Sequence, residues 1–523
     1  MSNTRTIAKN TGWYGIDNVT TQLVNIVTSI AIARYLGPTK QAHIVWVSYI
    51  AAVVSSLGSL GIAAATRKYM AEFIGMGDKG TARYLYFRTF RMQLVLASLA
   101  AAGIVLWVLY HADAEYRLAC SLIALSIWPS MVNAIPAGAN TATENLAANL
   151  PGSLASTFVY LISIFACVVF HWGVTGVGAA LLLMRSVDFL VRLLPTMKRV
   201  LQWDRGHALP EGLRSRMLAF AWQSVTTMLL ALVVWERFEV LLLGSHKLCA
   251  DIRQVAYYSI AFSLGNMLLL SSTIFGGAAG TTMFAQFGRD KSKLPQLASA
   301  WFRYLTLTSI PLHAVATALA FPALILLYGS RYREAAMVVT IAPLLCMPKA
   351  YLGPVQSLLQ SNERQVYVIV TMVIAGLVDI GVTWALIPAY GAVGACIGSG
   401  AAQITAVGTM WVIGMRLFRL KLPWVLTAKV AFISAVAAFC AHCVAVSMRP
   451  LPGILLGGAA SIFVLLSLLY ALRVLEPEDH ERFAVLIGML PKPVARPCDV
   501  LLSLLLHPGR TRNRRRAEMD AHV

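Results

Sequence analysis

Charged side chains inside long apolar runs are the residues of this chain best able to do chemistry. An ionisable group at membrane depth is costly unless it faces a wet cavity or a partner, so each is a candidate for binding or proton transfer. Carboxylates suit a proton or a small cation, whereas arginine and lysine suit phosphates and other anions. The candidates are Asp17, Arg34, Arg185, Asp188, Glu236, Arg237, Glu239, Lys349 and Asp379.

The first apolar run carries a regular polar series. Asp17, Thr21, Asn25 and Thr28 follow one another at helical spacing, which places their side chains on one face of a helix. Such a face either lines a cavity or forms a polar seam between packed helices. Both interpretations are kept open.

Two later runs carry charges of both signs. Arg185 and Asp188 stand one turn apart, so they neutralise each other, or Arg185 faces an anionic ligand while Asp188 holds it in place. Glu236 and Glu239 are expected to share a helix face, with Arg237 pointing elsewhere. The alternative for this group is a cluster at the outer headgroups.

Prolines surround one lysine in a further run. Pro343, Pro348 and Pro354 flank Lys349, and prolines bend helices and free backbone carbonyls. At membrane depth such a break is tolerated only beside protein or a wet cavity. The pattern predicts a broken, hinge-like helix, with a snorkelling Lys349 as the alternative. Asp379 is a single carboxylate that titrates or pairs with a cation.

The elements that position these groups follow from composition. The chain has 523 residues, of which 58% are hydrophobic and 13% charged, and apolar runs long enough to cross a bilayer recur from end to end. This predicts an all-α polytopic membrane protein with about 14 transmembrane helices. The predicted spans begin near Gly12, His43, Met92, Leu118, Ser153, Val174, Met217, Val255, Tyr304, Ala335, Gln365, Gly391, Pro423 and Pro452.

The net charge of +20 is concentrated in alternate loops. By the positive-inside rule these loops are cytoplasmic, and an even number of spans puts both termini in the cytoplasm. The arginine-rich segment after Pro508 is then a partner for anionic membrane lipid and not for nucleic acid. The apolar stretch Val500–Leu506 could lie in the membrane interface.

The two halves of the chain contain matching patterns. Trp13 and Val19-Thr20-Thr21 correspond to Trp222 and Val225-Thr226-Thr227, and Asp78-Lys79 corresponds to Asp290-Lys291. Duplicated helical halves are typical of secondary transporters. We expect an N-terminal lobe over residues 1–200, a C-terminal lobe over 201–421, two additional spans over 422–473 and a basic cytoplasmic tail over 474–523.

Pairs of small residues indicate where helices approach closely. They are Gly276-x-x-x-Gly280, Gly394-x-x-x-Gly398 and Gly453-x-x-x-Gly457. These patterns support packing and carry no information on substrate.

The sequence argues against enzyme chemistry. It has no Gly-rich phosphate loop, which disfavours direct use of ATP, and Cys440-Ala-His442-Cys443 lacks the further ligand pair of a closed zinc site. No catalytic residues, metal or cofactor are predicted. A membrane glycosyl polymerase or ligase is disfavoured because the outer loop Ala112–Tyr116 offers only Asp113 and Glu115 as acids.

Five segments of the chain form a recognisable set: Ala33-Arg34-Tyr35-Leu36-Gly37-Pro38, Leu57-Gly58-Ser59-Leu60-Gly61-Ile62, Arg67-Lys68-Tyr69, Glu236-Arg237-Phe238 and Ala256-Tyr257-Tyr258-Ser259. Together they resemble bacterial polysaccharide exporters, the O-antigen-type flippases of the multidrug/oligosaccharidyl-lipid/polysaccharide (MOP) superfamily. The resemblance runs roughly from Gly12 to Leu420. The chain departs from the family at Glu236, where an aspartate is usual, and at Ala42-His43-Ile44, which replaces a Gly-Tyr pattern.

The resemblance implies two six-helix lobes around a V-shaped central cavity, with two extra helices outside. It implies transport of a polyprenyl-pyrophosphate-linked oligosaccharide across the bacterial cytoplasmic (inner) membrane by alternating access, coupled to H⁺ or Na⁺. A polysaccharide polymerase and glycosyltransferases would be partners. Cavity cations for the substrate would be Arg34, Arg185, Arg237 and Lys349, and ion-binding carboxylates would be Asp17, Asp188, Glu236, Glu239 and Asp379. A MATE-type multidrug antiporter and a lipid II flippase are the alternatives.

Overall fold

A computed structural model describes residues 2–204, 210–270, 272, 283 and 290–475. All regular secondary structure in this part of the chain is helical. By length and composition, twelve helical segments of the described residues can cross a membrane, and some of these segments join two consecutive helices. The predicted fold class, an all-α multi-pass membrane protein, is confirmed.

The helices follow one another with short connections. In chain order they are α1 (Ser2–Gly58), α2 (Ile62–Gly75), α3 (Lys79–His111), α4 (Arg117–Leu125), α5 (Ile127–Ala142), α6 (Leu150–Val169), α7 (Gly173–Leu201), α8 (Leu213–Val234), α9 (Glu239–Leu243), α10 (Arg253–Leu268), α11 (Leu294–Tyr328), α12 (Ala336–Cys346), α13 (Leu352–Ser361), α14 (Gln365–Tyr390), α15 (Ala392–Phe418), α16 (Trp424–Val446) and α17 (Pro450–Ala471). Short 3₁₀ turns cover Leu146–Asn149, Lys291–Lys293, Ser330–Ala335 and Met347–Tyr351.

The first membrane-length helix contains two of the predicted spans. It runs over Thr20–Gly58 and is interrupted at Gly37, whose φ of 75° and ψ of 174° are not helical. Glycine is required there because L side chains rarely adopt this conformation, and Pro38 then starts the next segment. The eighth predicted span begins in α10, and most of its continuation lies outside the described residues. The total of about 14 spans therefore stays a prediction.

The chain forms two compact units. The first comprises Met1–Ser259, Tyr328–Glu334 and Gly376–Gly398, and the second comprises Ile260–Leu327, Ala335–Ala375 and Ser399–Val523. These units are groups of residues that contact one another closely. They do not test the lobe boundaries expected from the sequence, which stay a prediction.

Each unit has an apolar core of its own. In the first unit, Ile123, Val132 and Ile164 are fully buried where α4, α5 and α6 each pack against α7. In the second, Val430 and Ile433 of α16 pack with α17. Many large apolar side chains are instead exposed, as expected for helices whose outer faces contact lipid. Examples are Leu99, Leu106, Ile162, Trp384, Phe432 and Phe463.

The matched turns of the predicted repeat begin helices in the same way. The Asp78 carboxylate accepts a hydrogen bond from the Thr81 N–H at 2.9 Å, and Asp290 accepts one from the Ser292 N–H at 3.0 Å. Both are helix N-caps, which satisfy donors that a helix start leaves free. Hydrogen bonds from Thr81 lower the pKa of Asp78, and those from Ser292 lower the pKa of Asp290.

The small-residue pairs that the structure describes lie at close helix contacts. A β-carbon at Gly394 would meet the Leu386 carbonyl carbon at 2.6 Å, and one at Gly453 would meet the Ala445 oxygen at 2.8 Å. Gly457 approaches the Ala441 oxygen in the same way, at 2.9 Å. Gly276 and Gly280 lie outside the described residues.

We predict that Gly457→Ala destabilises the α16–α17 hairpin by about 1–3 kcal/mol, because the new methyl group overpacks the contact with Ala441. The neighbouring Gly458→Ala is the matched control, since nothing lies within 4 Å of a β-carbon there. Alanine favours helix over glycine by about 1 kcal/mol, so the control should be neutral or stabilising. Thermal unfolding of both purified variants measures the difference, and equal melting temperatures would contradict the packing argument.

Candidate functional site

The predicted broken helix is present in the second unit. The helix α12 ends at Cys346, a 3₁₀ turn covers Met347–Tyr351, and α13 begins at Leu352. Lys349 lies in that turn, half-buried, with its ammonium nitrogen 6.0 Å from the centre of the Phe262 ring. The lysine is therefore positioned by an interruption of regular helix, while movement at the three prolines stays a prediction.

A polar cluster in the first unit is centred on Asp188. Its carboxylate forms an ion pair with Arg192 at 2.8 Å and accepts a hydrogen bond from the Asn133 amide at 2.7 Å. Both side chains of the ion pair are about 15% exposed. Gly152 leaves room for the pair, since a β-carbon there would lie 2.6 Å from Arg192 Cγ. We call these four residues the Asp188 cluster.

The ion pair between Asp188 and Arg192 leaves Arg185 without that carboxylate as a partner. The sequence left open whether Asp188 neutralises Arg185, and in the structure the ion pair of Asp188 is with Arg192. Arg185 is half-buried and forms no ion pair in the part of the chain that the structure describes. It acts electrostatically on Asp188 and Tyr160. Its guanidinium group thus has no carboxylate bound to it among the described residues.

A second cluster brings two acids together. Glu239 and Asp379 are both fully buried, and their carboxyl groups face each other at interaction distance. The Thr383 hydroxyl donates a hydrogen bond to Asp379 at 3.0 Å. Tyr49 lies beside them, buried, within the electrostatic influence of both acids. We call Tyr49, Glu239, Asp379 and Thr383 the carboxylate cluster.

The expectation that Glu236 and Glu239 share a helix face was wrong. The helix α8 ends at Val234 and α9 begins at Glu239, so the residues between them are not helical. This break turns Glu236 outward, where it is exposed, and Glu239 inward, where it is buried. Arg237 is half-buried in the break and donates a hydrogen bond to the Ser259 hydroxyl at 2.8 Å.

The polar face of the first span is described in part. The Asp17 and Thr21 side chains each have a buried oxygen without a hydrogen-bond partner among the described residues, whereas Thr28 bonds back to the Val24 carbonyl at 2.8 Å. Asn25 is exposed. Cavity lining and a packed seam both stay open for this face. Arg34 is exposed near the kink at residue 37.

The carboxylate cluster can hold a positive charge. Two neighbouring carboxyl groups removed from water cannot both be ionised without a counter-charge. Their oxygens and the Thr383 hydroxyl are hard ligands, which suit small hard cations. A proton on one acid satisfies the same requirement. The residues therefore fit the binding of either a proton or a small metal ion.

Several members of the two clusters were not singled out from the sequence. Thr383 and Arg192 stand four residues after Asp379 and Asp188, so helical spacing could have indicated both. Asn133 and Tyr49 are brought in from other helices, and no local pattern marks them.

The fold is shared with solved membrane transporters. The lipid II flippase MurJ, in an inward closed conformation, matches with a TM-score of 0.70 at 14% sequence identity, over 87% of this chain and 97% of that one. A MATE family multidrug resistance transporter of the MOP superfamily, in an inward-facing conformation, matches with a TM-score of 0.64 at 13% identity, over 76% and 94% of the two chains.

A third match is a MOP superfamily transporter from Pyrococcus furiosus whose binding pocket is described as reversed in polarity. Its TM-score is 0.52 at 12% identity, over 79% of this chain and 95% of that one. Comparison of the sequence with protein families and with curated proteins finds no match. The chain thus has the fold of MOP transporters, and MurJ and MATE proteins both belong to that superfamily.

We predict that Arg192→Gln lowers the stability of the protein by about 3 kcal/mol, because it leaves the carboxylate of Asp188 buried without its partner. Arg185→Gln removes the same charge from the same helix and should cost much less. The double variant Asp188→Asn with Arg192→Gln should recover most of the loss. Thermal unfolding in detergent compares the variants, and an equal loss for Arg185→Gln and Arg192→Gln would refute this assignment of the ion pair.

Proposed function

We propose that this protein is a flippase that moves a polyprenyl-pyrophosphate-linked oligosaccharide from the inner to the outer leaflet of a bacterial cytoplasmic membrane. The carrying observation is that Arg185, a half-buried cation on a membrane-length helix, has no ion-pair partner among the described residues, since Asp188 is engaged by Arg192. A cation at membrane depth is expensive unless a ligand compensates it. An anionic headgroup supplies that compensation.

The substrate class follows from what cannot cross a bilayer unaided. A pyrophosphate with attached sugars has charges and hydroxyl groups that hydrocarbon leaves unsatisfied. Arginine guanidinium groups bind phosphate oxygens in pairs, and lysine binds them as a point charge. We assign Arg185, Arg237 and Lys349 to this task, with Arg34 near the outer end. The prenyl tail stays in the lipid throughout.

The cycle needs a source of energy. An H⁺ or Na⁺ gradient would supply it, and the carboxylate cluster would couple the ion to transport. Binding of H⁺ or Na⁺ at Glu239 and Asp379 neutralises a buried pair of acids, which changes the free energy of the conformation that holds them. Asp17, Asp188 and Glu236 are further carboxylates that such an ion could visit. The lobes over residues 1–200 and 201–421 would alternate in access, with Pro343, Pro348 and Pro354 as the hinge of one helix.

Two alternatives belong to the same superfamily. A lipid II flippase has support from the match to MurJ, and its substrate presents the same pyrophosphate chemistry. A MATE-type antiporter for organic cations has support from the second match. The antiporter is less favoured because an organic cation is bound best where carboxylates outnumber cations. Arg185, which has no ion pair among the described residues, would repel such a substrate. Both termini are proposed to be cytoplasmic.

Removal of the proposed substrate cations should abolish export without loss of protein. We expect Arg185→Gln and Lys349→Gln each to reduce surface glycan at least about tenfold, the size of one lost charged contact. Lys429→Gln, at an exposed position on α16, is the matched control and should export normally. The measurement is surface polysaccharide in a complemented deletion strain, with membrane protein levels checked in parallel.

The same strains identify the substrate. Lipid-linked oligosaccharide should accumulate on the inner leaflet of the deletion strain and of both cation variants. Accumulation of lipid II instead would support the MurJ-like alternative. Normal glycan export by both cation variants would count against the whole assignment.

Neutralisation of the carboxylate cluster should uncouple transport from the ion gradient. In proteoliposomes given an imposed H⁺ or Na⁺ gradient, Glu239→Gln and Asp379→Asn should lose gradient-driven flipping of a lipid-linked oligosaccharide while keeping the same slow rate with and without the gradient. Asp204→Asn removes an exposed acid and should respond as the unmodified protein does. Full gradient stimulation in both cluster variants would exclude this site as the coupling site.

A further inference from the structure

A cleft in the first unit lies apart from both polar clusters. It is formed by α2, α3 and α8 and encloses about 150 Å³, a volume in which an apolar cavity can hold a benzene-sized group. Its lining is mostly apolar, with two arginines. The residues are Ile62, Ala65, Leu85, Arg88, Thr89, Met92, Arg214, Met217, Leu218 and Ala221. Neither the proposed substrate site nor the carboxylate cluster uses any of them.

The wall and the rim of the cleft differ in exposure. Ile62, Leu85 and Ala221 form a buried wall, whereas Met92 and Leu218 are 45% and 60% exposed. Exposed apolar residues at the rim, on helices of membrane length, contact lipid tails and not water. The cleft therefore opens sideways into the bilayer.

The two arginines of the cleft are available for a ligand. Arg88 and Arg214 are exposed and form no ion pair or hydrogen bond in the part of the chain that the structure describes. Their basic neighbours are engaged: Arg216 pairs with Glu72 at 3.1 Å, and the Lys68 ammonium lies 4.1 Å from the centre of the Phe220 ring. Arg88 and Arg214 are thus the two arginines that line the cleft and carry an uncompensated charge there.

The depth of the two arginines in the membrane is indicated by their positions near the starts of their helices. Arg214 is the second residue of α8, and Arg88 lies in the first third of α3. Both helix starts follow loops that the positive-inside rule places in the cytoplasm. Arginines near such helix ends extend to the headgroup level while their stems cover apolar surface. The cleft thus combines an apolar pocket in the inner leaflet with two cations at its headgroup boundary.

We propose that this cleft binds an anionic phospholipid of the inner leaflet, with its phosphate between Arg88 and Arg214 and the first part of an acyl chain against Ile62, Leu85 and Ala221. Charge complementarity selects the headgroup, because two arginines favour a lipid with net negative charge over a zwitterionic one. The apolar wall selects a lipid over a soluble phosphate, which would gain nothing from it. A bound lipid contacts α2, α3 and α8 at once, so it stabilises the conformation in which these helices form the cleft.

The test is a lipid titration of the purified full-length protein in detergent, followed by its melting temperature. Dioleoyl-phosphatidylglycerol should raise the melting temperature saturably, whereas dioleoyl-phosphatidylcholine should do so weakly. Each basic residue near an anionic lipid surface contributes roughly fivefold in binding, so Arg88→Gln with Arg214→Gln should weaken the apparent affinity about 25-fold. Arg91→Gln with Arg416→Gln is the control, because it removes two exposed arginines that do not line the cleft.

The source of the phosphate is tested with two truncated probes. Dihexanoyl-phosphatidylglycerol keeps the headgroup with short chains, and glycerol 3-phosphate has no chains; both should stabilise the protein far less than the dioleoyl lipid. Stabilisation by glycerol 3-phosphate equal to that by the full lipid would overturn the lipid proposal in favour of a soluble anion. An unchanged affinity in the Arg88/Arg214 variant, or an equal loss in the control, would show that the lipid binds elsewhere and overturn it as well.

Discussion

Polar groups at membrane depth must find their partners inside the protein, because hydrocarbon offers none. The backbone meets this requirement by forming helices almost throughout the described residues. Where helix is interrupted, at residues 235–238 and at Met347–Tyr351, three of the charged candidates, Glu236, Arg237 and Lys349, are found. A break in a spanning helix is tolerated only beside protein or a wet space. The same constraint therefore accounts for the charges at the two breaks, whereas Arg185, Asp188 and Asp379 lie within regular helices.

The same requirement explains why much of the fold could be predicted from the sequence. Apolar runs of spanning length leave helix as the one local solution, and Asp78 and Asp290 mark equivalent helix starts because each caps free N–H groups. Gly394 and Gly453 indicated close packing correctly, since a β-carbon has no room at either position. The sequence does not show how two predicted spans are joined at Gly37. In the structure a single non-helical residue separates them, so they continue as one kinked helix.

The candidate site could be predicted only in part, and the reasons are geometric. Asp188 has Arg185 three residues before it and Arg192 four residues after it, and both spacings are within reach on a helix. The choice of Arg192 depends on Asn133 and on the space beside Gly152, which other helices provide. Glu236 and Glu239 were expected on one helix face because they stand three residues apart in a segment whose composition is compatible with helix. Nothing in that segment alone revealed that α8 ends before it.

The region of the Asp188 cluster and the carboxylate cluster would bind ligands of opposite charge. This difference limits how the proposed flippase could couple its ion to its substrate. Asp188 already has a cationic partner, so in the proposed cycle Arg185 would attract the anionic headgroup, whereas Glu239 and Asp379 together would need a cation or a proton. If the ion acted by direct attraction on the headgroup, neutralising the acids would strengthen the positive field and would bind the substrate more tightly, which hinders release. Coupling through conformation avoids this difficulty, because an ion that favours one state by a few kcal/mol shifts the population of the whole bundle. We therefore expect helix α14, which carries Asp379, to transmit ion binding through its position and not through its charge.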